Sequence, residues 1–125
     1  MLKKVTLIIT LAYSVALSTV SLIRLNNLPD VGVSFGDKIF HFLAYCLLTL
    51  LWFSVFLLVF NLKKKKAIYF AVIFAIVFGI VIEVLQDTMT ESRALDVYDV
   101  VANTMGALLA SLVLWFKKKL YIKNF

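Results

Sequence analysis

Residues 39–62 read IFHFLAYCLLTLLWFSVFLLVFNL, and after four lysines residues 67–85 read AIYFAVIFAIVFGIVIEVL. A helix needs about 20 apolar residues to cross the roughly 30 Å hydrocarbon core of a membrane, and each run has about that length. Inside a membrane no water satisfies the backbone, whereas a helix forms its own hydrogen bonds. The stretch therefore predicts two membrane-spanning helices, with Lys63–Lys66 as the tight turn between them.

Apolar runs on both sides of this pair extend the prediction to the whole chain. Residues 5–23 form one run, and residues 100–116 form the other, whose helix we expect to begin earlier, around Ser92 or Asp96. We predict an all-α polytopic membrane protein, an antiparallel bundle of four transmembrane helices in a single domain over residues 1–125. The predicted helices cover residues 5–23, 39–62, 67–86 and 96–116.

The composition excludes several other classes of protein. Hydrophobic residues make up 63% of the chain and charged residues 16%, against roughly 45–50% and about 25% in soluble domains. A soluble enzyme of this size and composition would expose too much apolar surface. A disordered tail contains far fewer hydrophobic residues than this chain. The single cysteine, Cys46, excludes a disulfide scaffold and any Cys/His metal motif.

The placement of charge predicts the orientation of the helices. With the N-terminus inside, the inner segments carry ten lysines and no acidic residue, and all seven acidic residues fall at the outer end. Because short lysine-rich segments stay on the cytoplasmic side, we expect both termini to be cytoplasmic. The net charge of +6 is then explained by the membrane topology and by attraction of the lysines to anionic lipid of the inner leaflet. No nucleic-acid partner is expected.

Polar residues recur on one face of three predicted helices, where each helix meets the outer interface. Antiparallel packing brings the start of the second helix, the end of the third and the start of the fourth to one depth. Glu83 and Asn103 lie inside the apolar boundary, so we expect both to face protein or trapped water. Gly79 lies one turn deeper than Glu83. The predicted ligand-binding residues are Asp37, Lys38, His41, Tyr45, Glu83, Gln86, Arg93, Asp96, Asp99 and Asn103.

The chemistry of these side chains suggests what such a pocket would bind. Lys38 and Arg93 can hold a phosphate, the arginine in bidentate fashion. Glu83, Asp99 and Asn103 can accept hydrogen bonds from sugar hydroxyls or amines. A simpler interpretation applies to Asp37 and Asp96, since an aspartate at a helix start also acts as an N-cap.

The same residues resemble the VanZ-like family. The resemblance rests on three motifs, Asp37-Lys38-x-x-His41-Phe42-x-x-Tyr45, Glu83-x-x-Gln86 and Arg93-x-x-Asp96-x-x-Asp99-x-x-x-Asn103-x-x-Gly106. It implies a small protein of the bacterial cytoplasmic membrane and, from the founding member, lower susceptibility to teicoplanin, a lipid-tailed glycopeptide. The family's usual glycine four residues after Gly106 is replaced by Ala110, which is still small.

Three functions remain open from the sequence. The first is an outward-facing pocket that binds or remodels a membrane lipid, a lipid-linked cell-wall precursor or the lipoglycopeptide. The second is an enzyme acting on a lipid-linked cell-envelope substrate, with His41 and Glu83 as candidate catalytic residues. The third is a structural or interaction protein, for example a homodimer or other homo-oligomer, in which the polar cluster fixes the bundle. We expect no cofactor and no metal site of recognised spacing, although the enzyme alternative admits a divalent ion held by His41 and the acids.

Overall fold

Four α-helices make up the computed structural model, which describes the backbone of residues 2–27, 35–89 and 97–116. Side chains are described for residues 2–21, 38–85 and 98–116. The helices are α1 (Leu2–Asn27), α2 (Phe35–Leu58), α3 (Lys64–Met89) and α4 (Val97–Phe116). All four are long and apolar enough to cross a membrane. No strand occurs in the described ranges, so the all-α, four-helix prediction is confirmed.

The turn between α2 and α3 differs from the prediction. Lys64, Lys65 and Lys66 belong to the first turn of α3, and α2 ends at Leu58 instead of Leu62. Lysine is a good helix former, so the helix continues beyond the apolar run. The first three helices likewise begin earlier than predicted, and α1 and α3 also end later.

Residues 59–63 form the turn itself. The carbonyl oxygen of Val55 accepts hydrogen bonds from the backbone N–H groups of Val59 (2.8 Å) and Phe60 (3.3 Å), which satisfies the end of α2. Asn61 has a φ of 58°, in the left-handed region that asparagine tolerates better than most residues. The turn is therefore short enough to hold α2 and α3 antiparallel.

Contacts at both ends of the bundle show that successive helices alternate in direction. The start of α2 meets the start of α4, where the ammonium group of Lys38 pairs with Asp99. At the opposite end, Lys65 at the start of α3 lies over the ring of Trp115 near the end of α4, 5.5 Å from its centroid. Helix α1 packs against α2 and α3 but, in the part of the chain that is described, not against α4.

Small polar residues form the face of α1 that packs against the bundle. Thr10, Ser14 and Ser21 share this face with the apolar Leu17, and all four are buried. The indole N–H of Trp52 donates to the hydroxyl of Ser14 (3.1 Å). Small residues of this kind let membrane helices approach closely and supply hydrogen bonds between them.

Aromatic side chains fill the space between α2 and α3. The ring centroids of Trp52 and Phe74 lie 4.3 Å apart, and those of Phe74 and Phe78 lie 5.9 Å apart. The row continues from Phe78 to Tyr45, with centroids 6.1 Å apart. These separations are at or close to those of favourable aromatic pairs. The row ends at Tyr45, and this packing fixes the rotation of α2 that turns its polar residues inward.

Candidate ligand site at one end of the bundle

His41, Glu83 and Asp99 meet where α2 begins, α3 approaches its end and α4 begins. Their side chains are buried, with exposed fractions of 5%, 1% and 0%. Each contributes one nitrogen or oxygen atom to a group whose members all lie within 4.8 Å of one another. We call these three residues the charged layer. Three separate helices thus bring two carboxyl groups and an imidazole together at one point.

Lys38 joins the charged layer from the end of the bundle at which α2 and α4 begin. Its ammonium nitrogen lies 2.5 Å from Oδ1 of Asp99, and its side chain is 17% exposed. The other carboxylate oxygen of Asp99, Oδ2, lies 3.7 Å from Nε2 of His41. Asp99 therefore presents one oxygen to Lys38 and the other towards His41.

A second polar layer lies one helical turn deeper. Tyr45 follows His41 by four residues, Asn103 follows Asp99 by four, and Gly79 precedes Glu83 by four. Tyr45 and Asn103 are 0% and 2% exposed. Neither the phenol oxygen of Tyr45 nor the amide of Asn103 has a hydrogen-bond partner among the described residues. We call Tyr45, Gly79 and Asn103 the inner layer.

Gly79 provides the space that the inner layer needs. A Cβ atom at this position would lie 2.9 Å from the amide nitrogen of Asn103 and 3.2 Å from a ring carbon of Tyr45. The sequence places Gly79 one turn below Glu83 but does not show this role. The signal that could have shown it is the shared spacing of four residues on all three helices.

Gly106 sets the distance between α2 and α4. A Cβ atom there would collide with the carbonyl oxygen of Phe42 and lie 3.1 Å from the backbone nitrogen of Cys46. The two backbones are therefore in direct contact, as small residues allow in membrane helices. This contact holds the start of α2 against the start of α4, where Lys38 and Asp99 pair.

The structure brings together most of the predicted site residues whose side chains it describes. Lys38, His41, Glu83 and Asp99 meet at the charged layer, and Tyr45 and Asn103 lie in the inner layer beneath. The other four predicted residues lie outside the described side chains; they are Asp37, Gln86, Arg93 and Asp96. Of these, Asp37 lies within α2 and Gln86 within α3.

A bundle of four helices that are long and apolar enough to cross a membrane, with ionisable side chains buried at one end, is the architecture of a multi-pass membrane protein. The model of one family, described as VanZ/LLP1, matches residues 3–118. The chain belongs to this family, which confirms the resemblance seen in its motifs.

One relative of the chain comes from a yeast. An uncharacterised protein of the fission yeast Schizosaccharomyces pombe is 35% identical over 94 residues, which make up 74% of this chain and 56% of the relative. The chain thus matches a little over half of that protein's length. No solved structure matches the chain.

Proposed function

We propose that this protein binds the phosphate-bearing headgroup of a membrane lipid at the charged layer, on the outer side of a bacterial cytoplasmic membrane. The observation that carries the proposal is the convergence of His41, Glu83 and Asp99, from three helices, at one end of the bundle. Ionisable groups within a membrane are costly and usually mark a functional site. Headgroups lie at this depth, so the site needs no path through the bilayer.

Lys38 is the residue that we assign to the phosphate. Its ammonium group has three hydrogen-bond donors, and Asp99 accepts one of them. The side chain retains 17% exposure, which leaves it accessible to a ligand arriving from the boundary. Arg93, which the sequence places near the start of α4, is the second cation of this proposal. Glu83 and Asn103 would accept hydrogen bonds from a hydroxyl or amine of the same headgroup.

The yeast relative favours a phospholipid over a cell-wall precursor as the ligand. Yeasts make no peptidoglycan, so a ligand shared across the family belongs to the lipids that both kinds of cell contain. A lipid-linked precursor or a lipoglycopeptide would then bind through the same phosphate or hydroxyl chemistry as an additional ligand in bacteria.

Removing the charge of Lys38 will reduce lipid retention. We expect Lys38→Gln to lower the phospholipid that co-purifies per chain by about tenfold, because a charged hydrogen bond is worth about 1.5 kcal/mol or more. The amide of glutamine can still donate to Asp99, so the fold is retained. Quantitative mass spectrometry of lipid extracted from detergent-purified protein measures the effect.

Thr49→Val serves as the matched control for this experiment. Thr49 is buried on α2, one turn below Tyr45, and its hydroxyl donates to the carbonyl oxygen of Tyr45 (2.8 Å). It lies outside both layers, so lipid retention should not change. Equal retention by the wild type and Lys38→Gln, at equal yield of folded protein, would contradict the phosphate assignment.

Glycopeptide susceptibility tests the part of the proposal that concerns the bacterial cell. We expect expression in a susceptible Gram-positive host to lower susceptibility to teicoplanin and not to vancomycin, because only teicoplanin carries a lipid tail. Glu83→Gln, matched for membrane level, should abolish the effect. Inhibitory concentrations of the two drugs measure it, and an equal change for both would contradict a lipid-dependent step.

An enzyme acting on a lipid-linked substrate is the second candidate function. It is favoured by the presence of an imidazole and a carboxyl group, those of His41 and Glu83, in one buried cluster. Such a pair can act as general acid and base. Incubating the reconstituted protein with its co-purified lipid distinguishes the two functions. An enzyme changes the lipid's mass with time and loses this activity in His41→Gln, whereas a binding protein leaves the lipid intact.

A further inference from the structure

We infer that His41, Glu83 and Asp99 form a binding site for one divalent transition-metal ion, Zn²⁺ or Mn²⁺. One nitrogen and two carboxylate oxygens make up the donor set. Imidazole suits Zn²⁺ and carboxylate suits Mn²⁺, and both ions accept such a mixture. The inference goes beyond lipid binding, because a metal ion would occupy this site whether or not a lipid is present.

The distances fit two ligands of one ion with little adjustment. In the tetrahedral geometry of zinc, bonds of about 2.0–2.2 Å place two ligand atoms roughly 3.3–3.6 Å apart. Nε2 of His41 and Oδ2 of Asp99 are 3.7 Å apart, which is too long for a hydrogen bond but suitable for two ligands. Glu83 offers an oxygen within 4.8 Å of the other two ligand atoms. Its side chain would therefore move by at most about 1.5 Å to reach a tetrahedral position, a change that a side-chain rotation can make.

Charge also favours a cation at this point. Glu83 and Asp99 bring two negative charges when ionised, and Lys38 brings one positive charge. Both acids are almost fully buried, and a buried carboxylate needs a paired charge or a metal ion. A divalent ion with a neutral imidazole would leave one net positive charge, which a single lipid phosphate would balance.

The inner layer supplies a second observation, independent of the three donors. Tyr45 and Asn103 are buried beneath the charged layer and have no hydrogen-bond partner among the described residues. The ring of Tyr45 lies against that of His41, with centroids 6.5 Å apart. The amide oxygen of Asn103 is a hard donor that suits these cations, and the hydroxyl of Tyr45 can bond to a water molecule on the ion.

Lys38 opposes metal binding and so provides a diagnostic variant. Its ammonium group holds Oδ1 of Asp99 and repels a cation placed at Oδ2. Replacing it with glutamine keeps a donor to Asp99 but removes this repulsion. The two proposals therefore predict opposite effects of Lys38→Gln, which lowers phosphate binding and strengthens metal binding.

The test uses the full-length chain, purified in detergent without a histidine tag and stripped with a chelator. Equilibrium dialysis against Zn²⁺ or Mn²⁺, followed by elemental analysis, should give one ion per chain. Glu83→Gln should weaken binding by about a hundredfold or more, a larger effect than loss of an outer hydrogen-bond partner. Lys38→Gln should strengthen it by about tenfold, and Thr49→Val should leave it unchanged.

His41 is the only histidine of the chain, so a second measurement does not depend on any variant. In protein labelled with ¹⁵N-histidine, Zn²⁺ should shift one imidazole nitrogen resonance in proportion to the bound ion. A folded wild type that retains no ion, or an imidazole resonance that Zn²⁺ does not move, would overturn the metal site. Loss of lipid retention in Lys38→Gln would still support the proposed function in that case, so the two failures are distinguishable.

Discussion

Replacing Gly106 with alanine will destabilise the bundle, although alanine is the better helix former. The added Cβ atom would collide with the backbone carbonyl oxygen of Phe42, and a backbone atom cannot rotate away as a side chain can. Overpacking of this kind costs about 1–3 kcal/mol, against a gain of about 1 kcal/mol in helix propensity. Because the collision is with backbone, we expect a cost at the upper end of that range and a net loss of about 2 kcal/mol in the free energy of unfolding. Denaturation in mixed micelles measures this loss.

Gly79→Ala is the matched control for Gly106→Ala. The new Cβ atom there would meet side-chain atoms of Asn103 and Tyr45, which can move by a few tenths of an ångström. We therefore expect the gain in helix propensity to offset most of the cost of the added atom, so that the free energy of unfolding changes by less than about 1 kcal/mol. If both variants lose equal stability, the close approach of α2 and α4 is not what Gly106 provides.

Replacing only Lys38 or only Asp99 will lower the free energy of unfolding more than replacing both residues together. In the presence of a chelator, we expect Lys38→Met to lower the free energy of unfolding by about 3 kcal/mol, because it leaves a carboxylate buried without its counterion. Asp99→Leu should cost less, since Lys38 retains 17% exposure and its long side chain can reach water. The double variant should lie within about 1 kcal/mol of the wild type.

The double-mutant cycle itself is the control for this prediction. The sum of the losses in free energy of unfolding of the two single variants should exceed the loss of the double variant by about 2 kcal/mol or more. This difference is the coupling energy between the two residues. Additive losses would show that Lys38 and Asp99 stabilise the bundle independently, and the 2.5 Å contact would then carry no energetic weight.

The helices of this fold are predictable because membrane spans depend on length and apolarity alone. Residues 39–62 and 67–85 meet both conditions, and the structure places α2 and α3 there. The boundaries are less predictable, because lysine continues a helix as readily as it ends an apolar run. Lys64 therefore begins α3, and the turn depends instead on the left-handed backbone of Asn61.

The meeting of three helices at the charged layer is predictable from periodicity. His41 and Tyr45 on α2, and Asp99 and Asn103 on α4, share faces because four residues make about one turn. The pairing of Lys38 with Asp99 is not predictable in this way, since it depends on how α2 and α4 rotate about their axes. The same holds for Gly79, whose missing side chain matters only once Asn103 is known to point at it.

The ion pair that closes the bundle has a consequence for the order in which the protein is made. Lys38 and Asp99 are 61 residues apart in the chain, so α2 leaves the ribosome long before α4 is synthesised. Until then, the ion pair between Lys38 and Asp99 cannot form. A chain that stops before α4 therefore lacks the contact that joins the start of α2 to the start of α4.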